Sequence, residues 1–291
     1  MLQLVVAGLT VGSGYALVAL GIHIILRATR VVNFAQGEFV VLGGLFAYSV
    51  VAQLHASVWI GLVVATVAGF GLGLAYERFV LRAAARAGEL SVTIVTVGTV
   101  YVLLYGHALV WGSLPEPLPY FSGVEGDASW HVFGVQIAAQ QLWVLGLLAL
   151  ALAVLGFFCE RTSYGKAIRA AANNPAGAQL VGIDVDRARS ISVAIAIALA
   201  AFGGAIIGPI TLVGGAAGIG IAIKGFVGGI VGGLDSPVGC TLGGLLVGVV
   251  EKLLEGRFGY GVSDPVVYGL LIAMLLVRPQ GLLGTLRATR D

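Results

Sequence analysis

Long apolar runs separated by short polar interruptions make up most of the chain. Nine runs are predicted to span a membrane, at about 4–26, 34–54, 58–79, 91–111, 139–158, 188–212, 218–234, 238–254 and 264–278. A helix needs ~20 apolar residues to cross a hydrocarbon core about 30 Å thick. The spans are expected to be helices, which satisfy their own backbone groups in lipid. The seventh is short and glycine-laden, so it is either re-entrant or broken, or a full crossing.

The interruptions differ in charge. Arg27 and Arg30 follow the first span, and Arg78, Arg82 and Arg86 follow the third. Arg161, Lys166, Arg169, Arg187 and Arg189 follow the fifth, and Arg278, Arg287 and Arg290 close the chain. The connection at 112–138 carries Glu116, Glu125 and Asp127 and no Lys or Arg. Basic loops stay in the cytoplasm, which places the amino terminus outside and the carboxyl terminus inside. That arrangement needs an odd number of crossings, and nine is preferred to eight.

Composition agrees. Of 291 residues, 58% are hydrophobic and 10% charged, with a mean hydropathy of +1.01; an average soluble domain carries roughly 25% charged residues. The fold class is therefore an all-α polytopic membrane protein, read as one domain over 1–291. The net charge of +2 is too small to argue for nucleic acid. The start, MLQLVVAGLT, has no basic n-region and no Ala-x-Ala site, and reads as a span rather than a cleaved signal. Cys159 and Cys240 belong to no CxxC and read as small packing residues. Many glycines recur four apart in apolar sequence: Gly8/Gly12, Gly69/Gly73, Gly225/Gly229/Gly233, Gly239/Gly243 and Gly244/Gly248. That spacing lets helix backbones approach closely, either as static packing or as surfaces that slide during transport.

The connection ERTSYGKAIRAAANNPAGAQLVGIDVDRAR at 160–189 is much longer than two neighbouring spans require. Lys166 to Ala172 reads as a short helix. Asn174 is placed to cap a second one, with Pro175 at its first position. Gly182 is placed to end it, and Asp186 to cap the next span. Such a basic two-helix element either rests on anionic headgroups or docks a soluble partner. Its alanines (Ala170, Ala171, Ala172, Ala176, Ala178) suit a protein groove better than lipid.

No catalytic constellation competes. A phosphate loop needs Gly, four residues, then Gly-Lys-Ser/Thr; before Gly165-Lys166-Ala167 the first Gly is Glu160 and the hydroxyl is missing. GGAAGIG and GGIVGGLDSPVG lie in or beside apolar spans, without a strand-turn-helix context. His23, His55, His107 and His131 form no ligand spacing. No metal, cofactor or enzymatic activity is expected, and any ATPase is another subunit.

The stretch VVNFAQGEFVVLGG at 31–44 places Asn33, Gln36 and Glu38 in an apolar surrounding. A charged group at a helix centre costs about 2.5–3.5 kcal/mol on insertion scales, so such residues face a cavity or a partner helix. In one reading Gly37 permits a broken backbone whose free ends bind a zwitterion, as in other transporters. In the other, Asn33 and Gln36 end the first hairpin and Glu38 pairs with a cytoplasmic arginine. Thr96, Thr99, Lys224 and Asp235 are further candidates for the path, with Lys224 alternatively snorkelling to an interface.

Five stretches carry a resemblance: GLTVGSGYALVALG at 8–21, VVNFAQGEFVVLGG at 31–44, the whole of 160–189, KGFVGGIVGGLDSPVGCTLGGLLVGVVE at 224–251 and VRPQGLLG at 277–284. They resemble the LivH-type permease of the branched-chain amino acid class of bacterial ABC importers. The resemblance implies a multi-pass subunit of the bacterial inner membrane. Its partners would be a second, LivM-like permease, two cytoplasmic ATPases that bind ATP and Mg, and an external substrate-binding protein. It implies that the 160–189 loop transmits ATP-driven motion, with Gly165, Arg169, Asn174, Pro175, Ala178, Leu180, Gly182 and Ile183 on the loop's pattern and Lys166 beside them. Relatives of this class carry neutral amino acids, urea or short amides. Three departures bear on substrate: Gln36 stands where the family usually has His, GPITLVGGAAGIGIAIKG lacks expected aromatic and acidic residues, and Asp235 interrupts a small neutral stretch. An ion-coupled carrier and a passive channel are the rival readings, and neither accounts for the loop.

Overall fold

The computed structural model describes residues 1–121, 129–132, 135–212 and 214–284; Glu125, Asp127, Arg287 and Arg290 lie outside them. The described residues are helical apart from their connections and one two-stranded antiparallel ribbon, β1 (Ser129–Val132) and β2 (Val135–Ala138). Among the described residues, six helices are long and apolar enough to cross a membrane. They are α1 (Leu2–Thr29), α3 (Val58–Tyr76) with its extension, α5 (Glu89–Trp111), α6 (Ala139–Arg161), α9 (Val185–Thr211) and α11 (Pro237–Phe258). Three other expected spans form shorter helices: α2 (Gln36–Tyr48), α10 (Ala217–Gly232) and α12 (Tyr260–Val277). A π-helical turn continues α2 over Ser49–Gln53; another, Glu77–Leu81, joins α3 to the short α4 (Arg82–Ala85). The connection at 160–189 holds α7 (Ser163–Asn173) and α8 (Pro175–Leu180).

The two central helices are α1 and α9, with 72% and 78% of their most apolar windows buried, against 28%, 22% and 17% in α3, α5 and α6. The outer helices present Val63, Val67, Leu109, Val154 and Phe157 outward, as a lipid-facing surface requires. At the end of α3 opposite the basic loops, Trp59 packs its ring 5.0 Å from Trp143 and 5.0 Å from Phe121, an interfacial aromatic cluster.

Glycine spacing sets the central contacts. A methyl group on Gly12 would meet the Leu245 backbone at 2.9 Å, and Gly244 and Gly248 lie against the backbones of Ala16 and Gly12. On the other side, Gly69 and Gly73 of α3 face Ala201 and Ala194 of α9. Backbone-to-backbone contact of this kind supplies dispersion where lipid offers no hydrophobic drive.

The closing VRPQGLLG motif has a structural task. The N–H groups of Leu282 and Leu283 donate to the Val231 and Gly232 carbonyls at 2.9 and 3.0 Å, satisfying the carbonyl end of α10. Gly281 (φ 81°) packs on Gly233 (φ 107°) to allow the approach. His23 Nδ1 donates to the Leu234 carbonyl at 2.6 Å, and Arg27 to the Asp235 carbonyl at 3.5 Å. Asp235 thus serves through its backbone just beyond the carbonyl end of α10. Cys159 and Cys240 are free thiols.

Candidate functional site

The first candidate region lies where the chain passes from α1 to α2. Arg30 closes α1 in the left-handed conformation (φ 61°), and 31–35 run without helix up to Gln36. The break therefore precedes Gly37. Gly37 sits in the first turn of α2, where an added Cβ would overlap the Gly218 carbonyl oxygen and lie 2.7 Å from the Ala222 methyl. It is there for close helix approach, and its face of α2 is closed by α10.

Asn33, Gln36 and Glu38 are all buried, at 1%, 0% and 1% exposure. The two amides are engaged. Asn33 Oδ1 accepts from the Ala35 N–H at 3.1 Å and from the Tyr76 hydroxyl of α3 at 3.3 Å, while Asn33 Nδ2 donates to Gln36 Oε1 at 3.4 Å. Gln36 Nε2 donates to the Ala196 carbonyl of α9 at 2.8 Å. Together they tie the start of α2 to α3 and α9.

Among the described residues, Glu38 pairs with no arginine. The arginines of the basic loops lie below the break, and Glu38 turns upward to α5, where His107 Nε2 is 3.5 Å from Oε2. Among the described residues, neither carboxylate oxygen and neither ring nitrogen has a hydrogen-bond partner. A buried acid and base thus face each other across α2 and α5, against Gly218. The histidine's role was invisible in sequence because 69 positions separate it from Glu38, with no spacing pattern to link them.

Below this pair is a cavity of about 190 Å³ between α1, the break, α5 and α10. Ile22, Val97, Val100, Ile219, Ala222 and Phe226 contribute apolar wall, and Asn33 stands at its edge. Thr96 and Thr99 flank it on α5, but their hydroxyls donate to the Thr93 and Val95 carbonyls of their own helix at 2.8 Å each. Lys224 neither lines the cavity nor snorkels. Its ammonium lies 2.6 Å from Glu251 of α11 and 2.8 Å from Asp264 of α12, an ion cluster holding three helices together.

The second region is the 160–189 element. Thr162 caps α7 by accepting from the Gly165 N–H at 3.0 Å, and Asn174 caps α8 from the Gly177 N–H at 3.0 Å, with Pro175 at the first position. Gly182 follows α8 in the left-handed region (φ 81°). The cap of α9 is Asp184, which accepts from the Arg187 N–H at 2.9 Å. Asp186 is two positions further on, inside the first turn, and pairs with Arg189 at 3.9 Å instead.

The expected coupling residues divide by direction. Ala171, Ala178, Val185 and Ala188 form a small core with Ile168 and Ile183 beside it, and Gly165 is buried against the end of α6. Lys166, Arg169, Asn174 and Gly182 are exposed, as are Leu180 at 89% and Val181 at 75%. Pro175, half-buried, and Ala172 face Arg27, Ala28 and Arg30 across a narrow cleft. The element thus rests on the end of α1 and the start of α9.

Glu77 was not singled out in sequence. It is fully buried at the end of α3. Its carboxylate accepts from Arg82 at 3.4 Å and from the Ser190 hydroxyl of α9. A lone acid next to Arg78 resembles an ordinary loop charge; only the packing of α3 on α9 reveals its burial.

Residues 4–277 match the model of a family described as branched-chain amino acid transport system / permease component. The chain is 30% identical to the high-affinity branched-chain amino acid transport system permease protein LivH of Salmonella typhimurium, over 97% of this chain and 95% of that one. It is 32% identical to BraD of Pseudomonas aeruginosa, named as a permease protein of the same kind of system, over 97% and 95%. A probable branched-chain amino acid transport permease LivH of Methanocaldococcus jannaschii is 29% identical over 92% and 88%. No solved structure matches. Deep central helices, glycine-driven packing, an apolar cavity beside a polar break and near-complete coverage by the family agree: the chain belongs to the permease-component family of branched-chain amino acid transport systems.

Proposed function

We propose that the chain is the membrane-spanning subunit of an ATP-driven importer that carries branched-chain or other small neutral amino acids into the cytoplasm by alternating access. The observation that carries this reading is the seat of the 160–189 element on the ends of α1 and α9. A lever at that place moves α1, which leads into the polar break, and α9, to which Gln36 is tied. Lys166, Arg169, Asn174, Leu180 and Gly182 meet two cytoplasmic ATPases that bind ATP and Mg, while Gly165, Pro175, Ala178 and Ile183 shape the lever. A second, LivM-like permease completes the path and an external binding protein delivers substrate. In this reading the chain crosses the bacterial inner membrane nine times, with α2, α10 and α12 as the shorter crossings, the amino terminus outside and the carboxyl terminus inside.

The cavity favours an aliphatic side chain over urea or a short amide. An apolar cavity of about 150 Å³ stays dry and takes benzene, and the cavity here is of similar size at about 190 Å³. An amide buried in such walls would lose its hydrogen bonds to water without replacement. Asn33 at the edge, Tyr101 in the wall and the Glu38–His107 pair beyond the first turn of α10 are polar groups of the path.

That same pair favours a second reading, an ion-coupled carrier, because a buried acid and base are what proton coupling uses. Reconstitution in proteoliposomes with the partner subunits separates the two. Leucine uptake is expected to require ATP on the cytoplasmic face and to persist when the proton gradient is collapsed. Uptake driven by a pH gradient without ATP would establish the carrier, and passive equilibration a channel.

A further inference from the structure

Two consecutive residues at the end of α3 grip two different parts of the machinery. Tyr76 donates its hydroxyl to Asn33 Oδ1 at 3.3 Å, at the wall of the cavity, and packs edge-on against Phe39 of α2 with ring centroids 5.2 Å apart. Glu77, fully buried, accepts from Ser190 in the second turn of α9, directly after the 160–189 element. Arg82 closes the other side. It reaches Glu77 at 3.4 Å and Ser190 Oγ at 3.2 Å, and its other nitrogen lies 4.0 Å from Asp186. The helix passes through this point as a π-helical turn, Glu77–Leu81, an irregularity that recurs at functional sites in helices.

We propose that Tyr76 and Glu77 form a relay between the 160–189 element and the polar break: Ser190 moves Glu77, and the adjoining Tyr76 moves Asn33. The physical warrant is that each joint is made of buried or half-buried hydrogen-bonded groups in a setting of low dielectric, where such networks rigidify their surroundings. Moved away from α9, Glu77 would lose the Ser190 hydroxyl and keep as partner to a fully buried carboxylate only Arg82, whose side chain is 35% exposed. The start of α9 and the end of α3 therefore travel together. Tyr76 immediately precedes Glu77 on the same unbroken helical segment, so its hydroxyl carries that displacement to Asn33. Glu77, Ser190 and Tyr76 are positioning residues; none touches substrate or nucleotide.

The inference rests on the ATP-driven reading above. Its test is the ratio of leucine taken up to ATP hydrolysed, measured in proteoliposomes of the full complex and normalised to assembled complex. Ser190→Ala removes one joint and Tyr76→Phe the other, each with little change of shape, and Glu77→Gln removes the central charge. Each is expected to lower the ratio at least threefold, with ATP hydrolysis continuing. Joints in series give a Tyr76→Phe/Ser190→Ala double variant no worse than the poorer single. Purely structural residues would change the amount of complex and leave the ratio alone. Unchanged ratios in Ser190→Ala and Tyr76→Phe, or reductions that multiply in the double variant, would overturn the relay. Where Glu77→Gln fails to assemble, those two variants decide the matter. Wild-type uptake without ATP would instead overturn the underlying reading.

Discussion

Gly165 tests the lever where its geometry is tightest. A Cβ on Gly165 would overlap the Phe158 carbonyl oxygen and lie 2.7 Å from Cys159 Cα and 2.8 Å from the Phe158 carbonyl carbon. Ordinary carbon contacts fall at about 3.5–4.0 Å, and all three obstacles are backbone atoms that cannot rotate away. With Gly165→Val, α7 must withdraw from α6 by roughly 1 Å. Overpacking of this kind costs about 1–3 kcal/mol, and the cost falls on one contact outside the spans, so insertion should survive. The working surface is more sensitive: a 1 Å misplacement of positioned groups is worth ~100-fold in rate where catalytic geometry has been perturbed. Initial leucine uptake in proteoliposomes is therefore expected to fall at least tenfold, with normal membrane abundance and reduced co-purification of the ATPases. Wild-type uptake and wild-type co-purification in Gly165→Val would refute the lever.

Gly182 is the internal control. It has a left-handed backbone, and no neighbour lies within 4 Å of the place a Cβ would take. An alanine there meets only conformational strain, roughly 1–2 kcal/mol. Gly182→Ala is expected to lower uptake a few-fold, and Gly182→Asn, which tolerates that conformation, to restore most of it.

Three further outcomes follow from the buried polar groups and the cavity. Glu38→Gln is expected to keep assembly and lower uptake at least tenfold, while Glu38→Ala also lowers the yield of complex; normal uptake and assembly in both would remove Glu38 from the path. Lys224→Met leaves Glu251 and Asp264 facing each other, and breaking a buried pair costs about 3–5 kcal/mol. The thermal midpoint in detergent should drop and should partly recover in Lys224→Met/Glu251→Met, and an unchanged midpoint in the single variant would show the cluster to be solvated. Val97→Phe narrows the cavity at a wall residue that is 41% exposed and so tolerates bulk. Leucine uptake should fall relative to alanine uptake at saturating binding protein, and an unaltered ratio would place the side-chain site elsewhere.

Local features were legible because their causes are local. Asn174 before Pro175 predicts a cap and a first helical residue, and both occur. Runs of about 20 apolar residues predict helices, and glycines four apart predict backbone contact, which α1 makes with α11. The cap at Asp186 was misplaced by two positions because Asp184 and Asp186 both precede basic, helix-forming sequence. Only backbone geometry distinguishes them: Asp184 is extended (ψ 98°) and Asp186 already helical. The β1–β2 ribbon, two strands of four residues each, is too short to stand out as a pattern beside the long apolar runs.

The polar contacts were legible only by half. Sequence marks a polar residue in an apolar run as expensive, and it marks Glu38 and Lys224 for that reason. It does not say what offsets the expense, because the partner lies on another helix at a register set by packing. Glu38 meets His107, Glu77 meets Ser190, and Lys224 meets Glu251 and Asp264. Two of these pairings follow from glycine contacts that bring helix axes close: Gly228 meets Gly244 between α10 and α11, and Gly73 seats α3 on α9 at Ala194, one turn from Ser190. The small residues thus decide the chemistry indirectly. A bulky residue at Gly73 would part α3 from α9 before it altered any polar side chain, and Glu77 would lose the neighbour that makes its burial tolerable; one at Gly218 would press on the Glu38 carboxylate itself. The break near Asn33 has its properties from α3, α5, α9 and α10 more than from the residues 31–38 that first draw the eye.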